Sequence, residues 1–351
     1  MKNKYFELTY IFFLSIIGFI NFEGIIDMIG SQWFYLSLIN IFGIVYIFTK
    51  KFLLKDFSIN SFFKNPQNIF YLCFFITCLF SLFNSINISV SLVALSKTGT
   101  ILLTIFILSQ LDFKPKIDFN LFYFLFTALL LIEVIMSLQG YVDIIKQTDF
   151  QFSMAGDYMR GITGNKNIAS ASIAFKIPFA YLLFYSNKNI LIKIISILII
   201  TVSFFNLYLL SSRAIIVSYS LSLIFITIGY AILYSKAKHK KNIYALKKIF
   251  VLLLPIIISY FYFQKNINDD NLSIENRISS INTEDVSANT RIRYYKKGIN
   301  YFLSNPLIGS GIGNWQIVSI DLDSENIESY VVPYVAHNDF IEVLVESGFF
   351  G

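Results

Sequence analysis

Residues 119–139 read FNLFYFLFTALLLIEVIMSLQ, with Glu133 as the one charged side chain. A hydrocarbon core about 30 Å thick takes roughly 20 apolar residues of helix to cross. A run of this length and purity therefore reads as a membrane span. In lipid every backbone group must find its partner within the segment, which makes helix the default. A barrel strand would alternate polar and apolar side chains, and this run does not.

Working outward, the same pattern recurs at 6–24, 31–49, 68–84, 90–110, 168–186, 190–210, 213–234 and 248–264, and a tenth run begins near 338. Composition agrees: 56% of the residues are hydrophobic and 14% charged, against about 25% charged in a soluble chain. The expected fold class is all-α, a polytopic transmembrane helical bundle with a large extracytoplasmic loop that contains a short amphipathic helix. The expected divisions are a bundle of about nine helices over 1–264, the loop over 265–337, and the start of a further helix over 338–351, cut off by the chain end. No internal repeat is visible. Lys2 and Lys4 precede the first apolar run, and no small-x-small cleavage site follows, so that run is expected to be an uncleaved helix. Cys73 and Cys78 fall on different faces of one helix and read as small hydrophobes, not a disulfide.

Net charge is +6. The placement of the basic residues argues against a nucleic-acid partner, because many sit in short loops between apolar runs, where they set membrane orientation. The 235–248 segment holds Lys236, Lys238, Lys240, Lys241, Lys247 and Lys248 and is expected to be cytoplasmic. Counting helices from it places the N-terminus and the loops at 50–67, 111–118 and near 188 on the same side, and each carries lysine. The opposite side then receives the 140–167 and 265–337 loops. It also receives every arginine of the chain: Arg160, Arg213, Arg277, Arg291 and Arg293. Guanidinium makes planar, bidentate contacts with phosphate and carboxylate, so the outer side is expected to recognise an anion.

Lys97, Glu133 and Lys176 lie inside apolar runs, each roughly 10 Å below the outer boundary at 1.5 Å rise per residue. A charge at the bilayer centre is costly, so such residues face a polar cavity or one another. Their common depth suits a water-filled cavity open to the outer side. Two plainer readings stand beside it: snorkelling from misplaced helix ends, and a structural ion pair of Glu133 with Lys97 or Lys176. Pro178, two residues after Lys176, suggests a kink.

In the outer loop, residues 290–303 read TRIRYYKKGINYFL. Ile292, Tyr295, Ile299 and Phe302 share one helical face while much of the remainder is cationic, the pattern of an interfacial amphipathic helix. Thr290 is a candidate N-cap. That cap would place Arg291 in a first turn, where an anion bound at the helix N-terminus would explain it. An ordinary surface helix explains the pattern equally. Gly309, Gly311 and Gly313 follow at alternate positions, suited to a tight turn or to close backbone approach by a ligand.

His337 stands where the loop meets the last helix. An unperturbed pKa near 6.5 suits a general base, although a lone histidine is more often structural. The other histidine, His239, reads as a solvated side chain among lysines. One histidine among scattered carboxylates lacks the spacing of a metal site.

Several of these segments, in this order, resemble the bacterial O-antigen ligase/polymerase family. Its R…G-N-x-N pattern before a helix is matched by Arg160 with Gly164-Asn165-Lys166-Asn167. Its S-R at the outer start of a later helix is matched by Ser212-Arg213. Its R-x-x-x-W/Y helix running into P-L-x-G-x-G is matched by Arg291 with Tyr295, then Pro306-Leu307-Ile308-Gly309-Ser310-Gly311. His337-Asn338 and Glu346-Ser347-Gly348-Phe349-Phe350-Gly351 match its H-N and E-x-G-x-x-G. The resemblance covers residues from about 160 to 351. It departs in one respect: the family continues with further helices, whereas this sequence stops inside one.

The resemblance implies transfer of a glycan from an undecaprenyl-diphosphate carrier to an acceptor hydroxyl, on the outer face of the inner (cytoplasmic) membrane, with inversion at the anomeric carbon. It makes Arg213 and Arg291, with Arg160, the diphosphate-binding set and His337 the catalytic base. Asn338, Arg293, Lys176 and Glu133 are possible support. No metal and no cofactor is expected. The acceptor is open between a lipid core, a growing glycan and a protein, which is the choice between ligase, repeat-unit polymerase and protein O-oligosaccharyltransferase. The rival from another class is a lipid or glycan transporter, which would favour an internal symmetry this sequence lacks.

Overall fold

The computed structural model describes residues 2–20, 28–54, 60–111, 119–146, 152–210, 212–235, 239–266, 286–326 and 334–351, and every regular element among them is helical. In chain order the helices are α1 (Lys2–Ser15), α2 (Met28–Leu54), α3 (Asn60–Phe63), α4 (Pro66–Ser81), α5 (Ile88–Gln110), α6 (Phe119–Ile145) and α7 (Phe152–Tyr158). They continue as α8 (Lys166–Ser186), α9 (Ile190–Leu210), α10 (Arg213–Ser235), α11 (His239–Asn266), α12 (Val286–Ser304), α13 (Trp315–Asp323) and α14 (Asp339–Ser347). Asparagine starts several of them. The side chains of Asn65, Asn87, Asn165 and Asn338 accept backbone N–H groups in the first turns of α4, α5, α8 and α14, satisfying donors that a helix start leaves free.

Among the described residues six segments are long and apolar enough to cross a membrane: Ile29–Thr49, Pro66–Asn84, Ile88–Gln110, Phe119–Ile145, Lys166–Ser186 and Ile190–Leu210. They match the expected runs from 31–49 to 190–210. The runs at 6–24, 213–234 and 248–264 appear among the described residues as shorter apolar helices, Phe6–Ser15, Val217–Gly229 and Ile249–Lys265. The first of these leaves the α-helix after Ser15 for a 3-10 turn at Ile17–Phe19. Side chains such as Phe70, Phe83 and Phe225 are largely exposed, an apolar surface that water does not tolerate and lipid does.

The chain divides into two compact units. One comprises residues 1–10, 29–113 and 282–351. Within it Asn40, which is buried, ties α2 to α5: its amide donates to Thr104 Oγ1 and to the Thr100 carbonyl, both at 3.0 Å, and its carbonyl accepts from Tyr10 at 2.9 Å. In the same unit α12, α13 and α14 pack around Trp315, Val318, Ala336, Ile341 and Val345.

The other unit comprises residues 11–28 and 114–281. Its core is built by α6, α8, α9 and α11 around Leu130, Val134, Ile173, Ile177, Ile200 and Phe204. Buried polar side chains stitch these helices, as they do where lipid supplies no hydrophobic drive for association. Ser137 Oγ donates to the Met159 carbonyl at 2.9 Å, Tyr181 Oη to the Leu252 carbonyl at 2.7 Å, and Ser259 Oγ to the Thr201 carbonyl at 2.6 Å. Helix α8 runs through Pro178.

The amphipathic helix differs from expectation in two ways. It begins at Val286, so Thr290 lies inside it and is not its N-cap, and Arg291 is beyond the first turn. An anion held at that helix N-terminus therefore does not account for Arg291. The packed side is also different. Tyr294, Tyr295, Gly298 and Tyr301 meet α13 and α14, while Ile292 and Ile299 are exposed. Gly298 decides this, because a Cβ there would fall 2.8 Å from Ile341 Cγ2. The absence of a side chain, not the hydrophobic stripe, selects the face.

Candidate active site

The sequence-expected site residues fall into both units. Arg160, Lys176, Glu133 and Arg213 belong to one, Arg291, Arg293, His337 and Asn338 to the other.

In the first group the chain reverses between α7 and α8 through Gly161 and Gly164, which have φ of +55° and +65°. Arg160 opens this turn and is exposed. Its guanidinium is 3.7 Å from Asp157 Oδ1, and Lys166 Nζ is 3.0 Å from the same oxygen. Exposed pairs of this kind contribute about 0–1 kcal/mol, so a stronger anion can compete for Arg160. Asn165 then caps α8, and Asn167 accepts from the buried Ser212 Oγ at 3.1 Å. That bond joins the Gly164–Asn167 segment to the start of α10, whose first residue is Arg213. The Arg213 side chain lies outside the described residues.

Deeper in this unit Lys176 Nζ is 2.7 Å from Glu133 Oε2 and also donates to Ser172 Oγ. Both ends are buried. The ion-pair reading accounts for these two charges. Lys97 is exposed on α5, in the other unit.

In the second group His337 sits in the link before α14. Asn338 caps that helix, with its side-chain oxygen accepting from Phe340 N at 3.0 Å and Ile341 N at 3.4 Å. Tyr295 Oη donates to the His337 carbonyl at 3.2 Å. Arg291 lies one turn before Tyr295, and positions four apart share a helix face. Partial burial, and then the positive charge of Arg291, hold the His337 pKa below its ordinary 6.5. The imidazole therefore favours its neutral, proton-accepting form. Among the described residues no carboxylate pairs with Arg291 and no group bonds the imidazole. Arg293 differs: its Nη2 is 2.9 Å from Asp323 Oδ2, and Lys297 Nζ is 2.8 Å from Asp323 Oδ1. A structural ion pair accounts for Arg293 without a ligand.

The glycine-rich loop after α12 lies against protein backbone. Ser310 N donates to the Val345 carbonyl at 2.9 Å and Gly311 N to the Glu346 carbonyl at 2.8 Å. On its other side Ile86 N donates to the Ser310 carbonyl at 3.1 Å. Gly311 has φ +92°, and a Cβ there would fall 2.7 Å from Ser85 Cα. The glycines serve close approach, as their spacing suggests, but the partners found are the turn before α5 and the end of α14. Asn314, fully buried, completes the join. Its amide donates to Ser91 Oγ at 2.7 Å and Ser85 Oγ at 3.1 Å, and its carbonyl accepts from Asn87 N at 3.0 Å. With the Asn314 side chain so engaged, Glu346 Oε1 takes over the start of α13, accepting from Trp315 N at 2.8 Å. Within this unit the glycine-rich loop, the start of α5 and the end of α14 are thus packed together.

Residues 197–351 match the family described as O-Antigen ligase. No curated protein and no solved structure matches the chain. The O-antigen ligase match supports glycan transfer of the ligase/polymerase type, with a lipid-linked glycan and an acceptor as partners. Together with the six apolar helices it makes the chain an integral membrane protein. The ligase span takes in α10 to α14 and most of α9. Arg213, Arg291, Arg293, His337 and Asn338 lie within it, whereas Arg160, Glu133 and Lys176 precede it.

Three participants of this packing were not singled out in the sequence: Asn314, Glu342 and the serines around the start of α5. Glu342 accepts the backbone N–H of Ala336, next to His337. An asparagine after a glycine run reads as an ordinary turn residue, and serines in an apolar helix read as neutral filler. Among the described residues no group of three or more His, Cys, Asp and Glu side chains converges to hold a metal.

Proposed function

We propose that this protein transfers a glycan from an undecaprenyl-diphosphate carrier to an acceptor hydroxyl on the outer face of the inner membrane, in the manner of an O-antigen ligase. The observation that carries the reading is the placement of the Arg291 guanidinium close enough to the His337 imidazole to lower its pKa, with no partner for either side chain among the described residues. Arg291 binds the diphosphate and stabilises the charge that grows on it as the bond to the sugar breaks. His337 accepts the proton of the acceptor hydroxyl as its oxygen bonds to the anomeric carbon, and undecaprenyl diphosphate leaves. Guanidinium groups supply the charge neutralisation, so the reaction proceeds without a metal. Arg213 and Arg160 enter as further diphosphate contacts through the family resemblance, and inversion at the anomeric carbon rests on it too.

Repeat-unit polymerisation and transfer to protein use the same donor chemistry and differ in the acceptor. The O-antigen ligase match supports ligation and polymerisation at the level of reaction type. Lysine placement favours a cytoplasmic N-terminus and an outer location for His337.

The test is complementation of a deletion strain, read by glycan profiling. His337→Ala and Arg291→Ala are expected to insert normally and to transfer nothing. Near-normal products from both variants would end the reading. An unmodified lipid core in the deletion strain identifies a ligase, a single repeat on the core identifies a polymerase, and an unchanged profile points to a protein acceptor or to transport.

A further inference from the structure

His337 has φ +59° and is the one non-glycine residue with positive φ among the described residues. A side chain in the left-handed region is strained and persists only where its surroundings enforce it. Here the enforcement is visible on both sides. Upstream, Ala336 is fully buried against Trp315, Ile341 and Val345, and its N–H donates to Glu342 Oε1. Downstream, Asn338 is committed as the cap of α14. The His337 carbonyl accepts from Tyr295 Oη at 3.2 Å. Among the described residues nothing bonds the imidazole, and these backbone contacts are what set its direction there. Tyr295 sits one turn beyond Arg291 on α12, so the helix that presents the cation also latches the base.

We infer that Tyr295 and Glu342 are positioning residues that hold His337 in its left-handed conformation and so aim the imidazole at the acceptor hydroxyl. The inference rests on the reading of His337 as the proton acceptor. Tyr295→Phe removes the donor to the carbonyl. Glu342→Ala removes the acceptor for Ala336 N–H, whereas Glu342→Gln keeps a carbonyl oxygen at the same position. Misplacing a catalytic group by a fraction of an ångström costs rate more than binding.

The experiment is steady-state kinetics of the full chain in detergent, with a synthetic undecaprenyl-diphosphate-linked sugar as donor and thermal unfolding as the check on folding. Tyr295→Phe and Glu342→Ala are expected to lower kcat by about tenfold or more with KM for donor changed by no more than about twofold. Glu342→Gln should recover kcat to within about threefold of the parent. Wild-type kcat in Tyr295→Phe and Glu342→Ala, beside an inactive His337→Ala, overturns the positioning roles and leaves the base intact. Full turnover by His337→Ala overturns the base itself. A Glu342→Gln variant as slow as Glu342→Ala overturns the role of Glu342. If Glu342→Ala does not fold, Tyr295→Phe, which loses a single oxygen atom, decides the matter.

Discussion

Asn314 Nδ2 lies 2.7 Å from Ser91 Oγ, across 223 positions of chain. The bond is buried and part of a network in which the asparagine amide also reaches Ser85 and the Gly311 carbonyl. It fastens the glycine-rich loop to the turn that starts α5.

Asn314→Ala should therefore destabilise the protein by roughly 2–3 kcal/mol, because it removes the amide donor to the Ser85–Ser91 hydroxyl pair and to the Gly311 carbonyl and leaves the Asn87 N–H without its acceptor. Asn314→Asp should be no better, since a carboxylate cannot donate to the serines. Ser91→Ala should cost about 1 kcal/mol, and the double variant should cost less than the sum. Thermal unfolding in detergent measures all of these.

Gly311→Ala is expected to be worse than a normal glycine-to-alanine change. The new Cβ would crowd Ser85 at a φ of +92°, and relief requires the loop to move away from the α5 turn. A loss of about 2 kcal/mol or more is expected, read as a drop in the unfolding midpoint.

The Lys176–Glu133 pair separates a structural role from a catalytic one. Lys176→Met or Glu133→Gln alone leaves an uncompensated buried charge and should cost about 3–5 kcal/mol. The double replacement Lys176→Met with Glu133→Leu should restore most of the stability. Transfer activity retained by the double variant assigns the pair to the scaffold, and activity lost at normal stability assigns it to the site.

Activity should fall on the acid side only below the ordinary histidine range. Burial and the charge of Arg291 lower the His337 pKa in the free protein, so the neutral base predominates at pH values above 6.5 and is lost as pH falls through the lowered value. The acid limb of kcat/KM reports that pKa. A limb centred at or above 6.5 would contradict the environment seen around His337.

Arg213→Lys should be strongly defective in transfer while inserting normally, because an ammonium replaces the charge but not the bidentate fork. Donor-dependent turnover measures this, and parental activity would remove Arg213 from the diphosphate-binding set.

The sequence by itself determined the helical class, the positions of six membrane-length helices among the described residues and the family segments in their order. Each is a local property: hydrophobic length or a short motif reads along the chain without knowledge of its neighbours. Only the tertiary structure decided which face of α12 is packed, that Lys176 and not Lys97 partners Glu133, that Arg293 pairs with Asp323, and that Asn314 bonds the start of α5 while Tyr295 and Glu342 bond the backbone around His337. These are contacts between positions tens to hundreds apart. They depend on which side chains, or which missing side chain at Gly298, allow two helices to approach. Periodicity carries no record of that, because an apolar stripe fits lipid as well as it fits another helix.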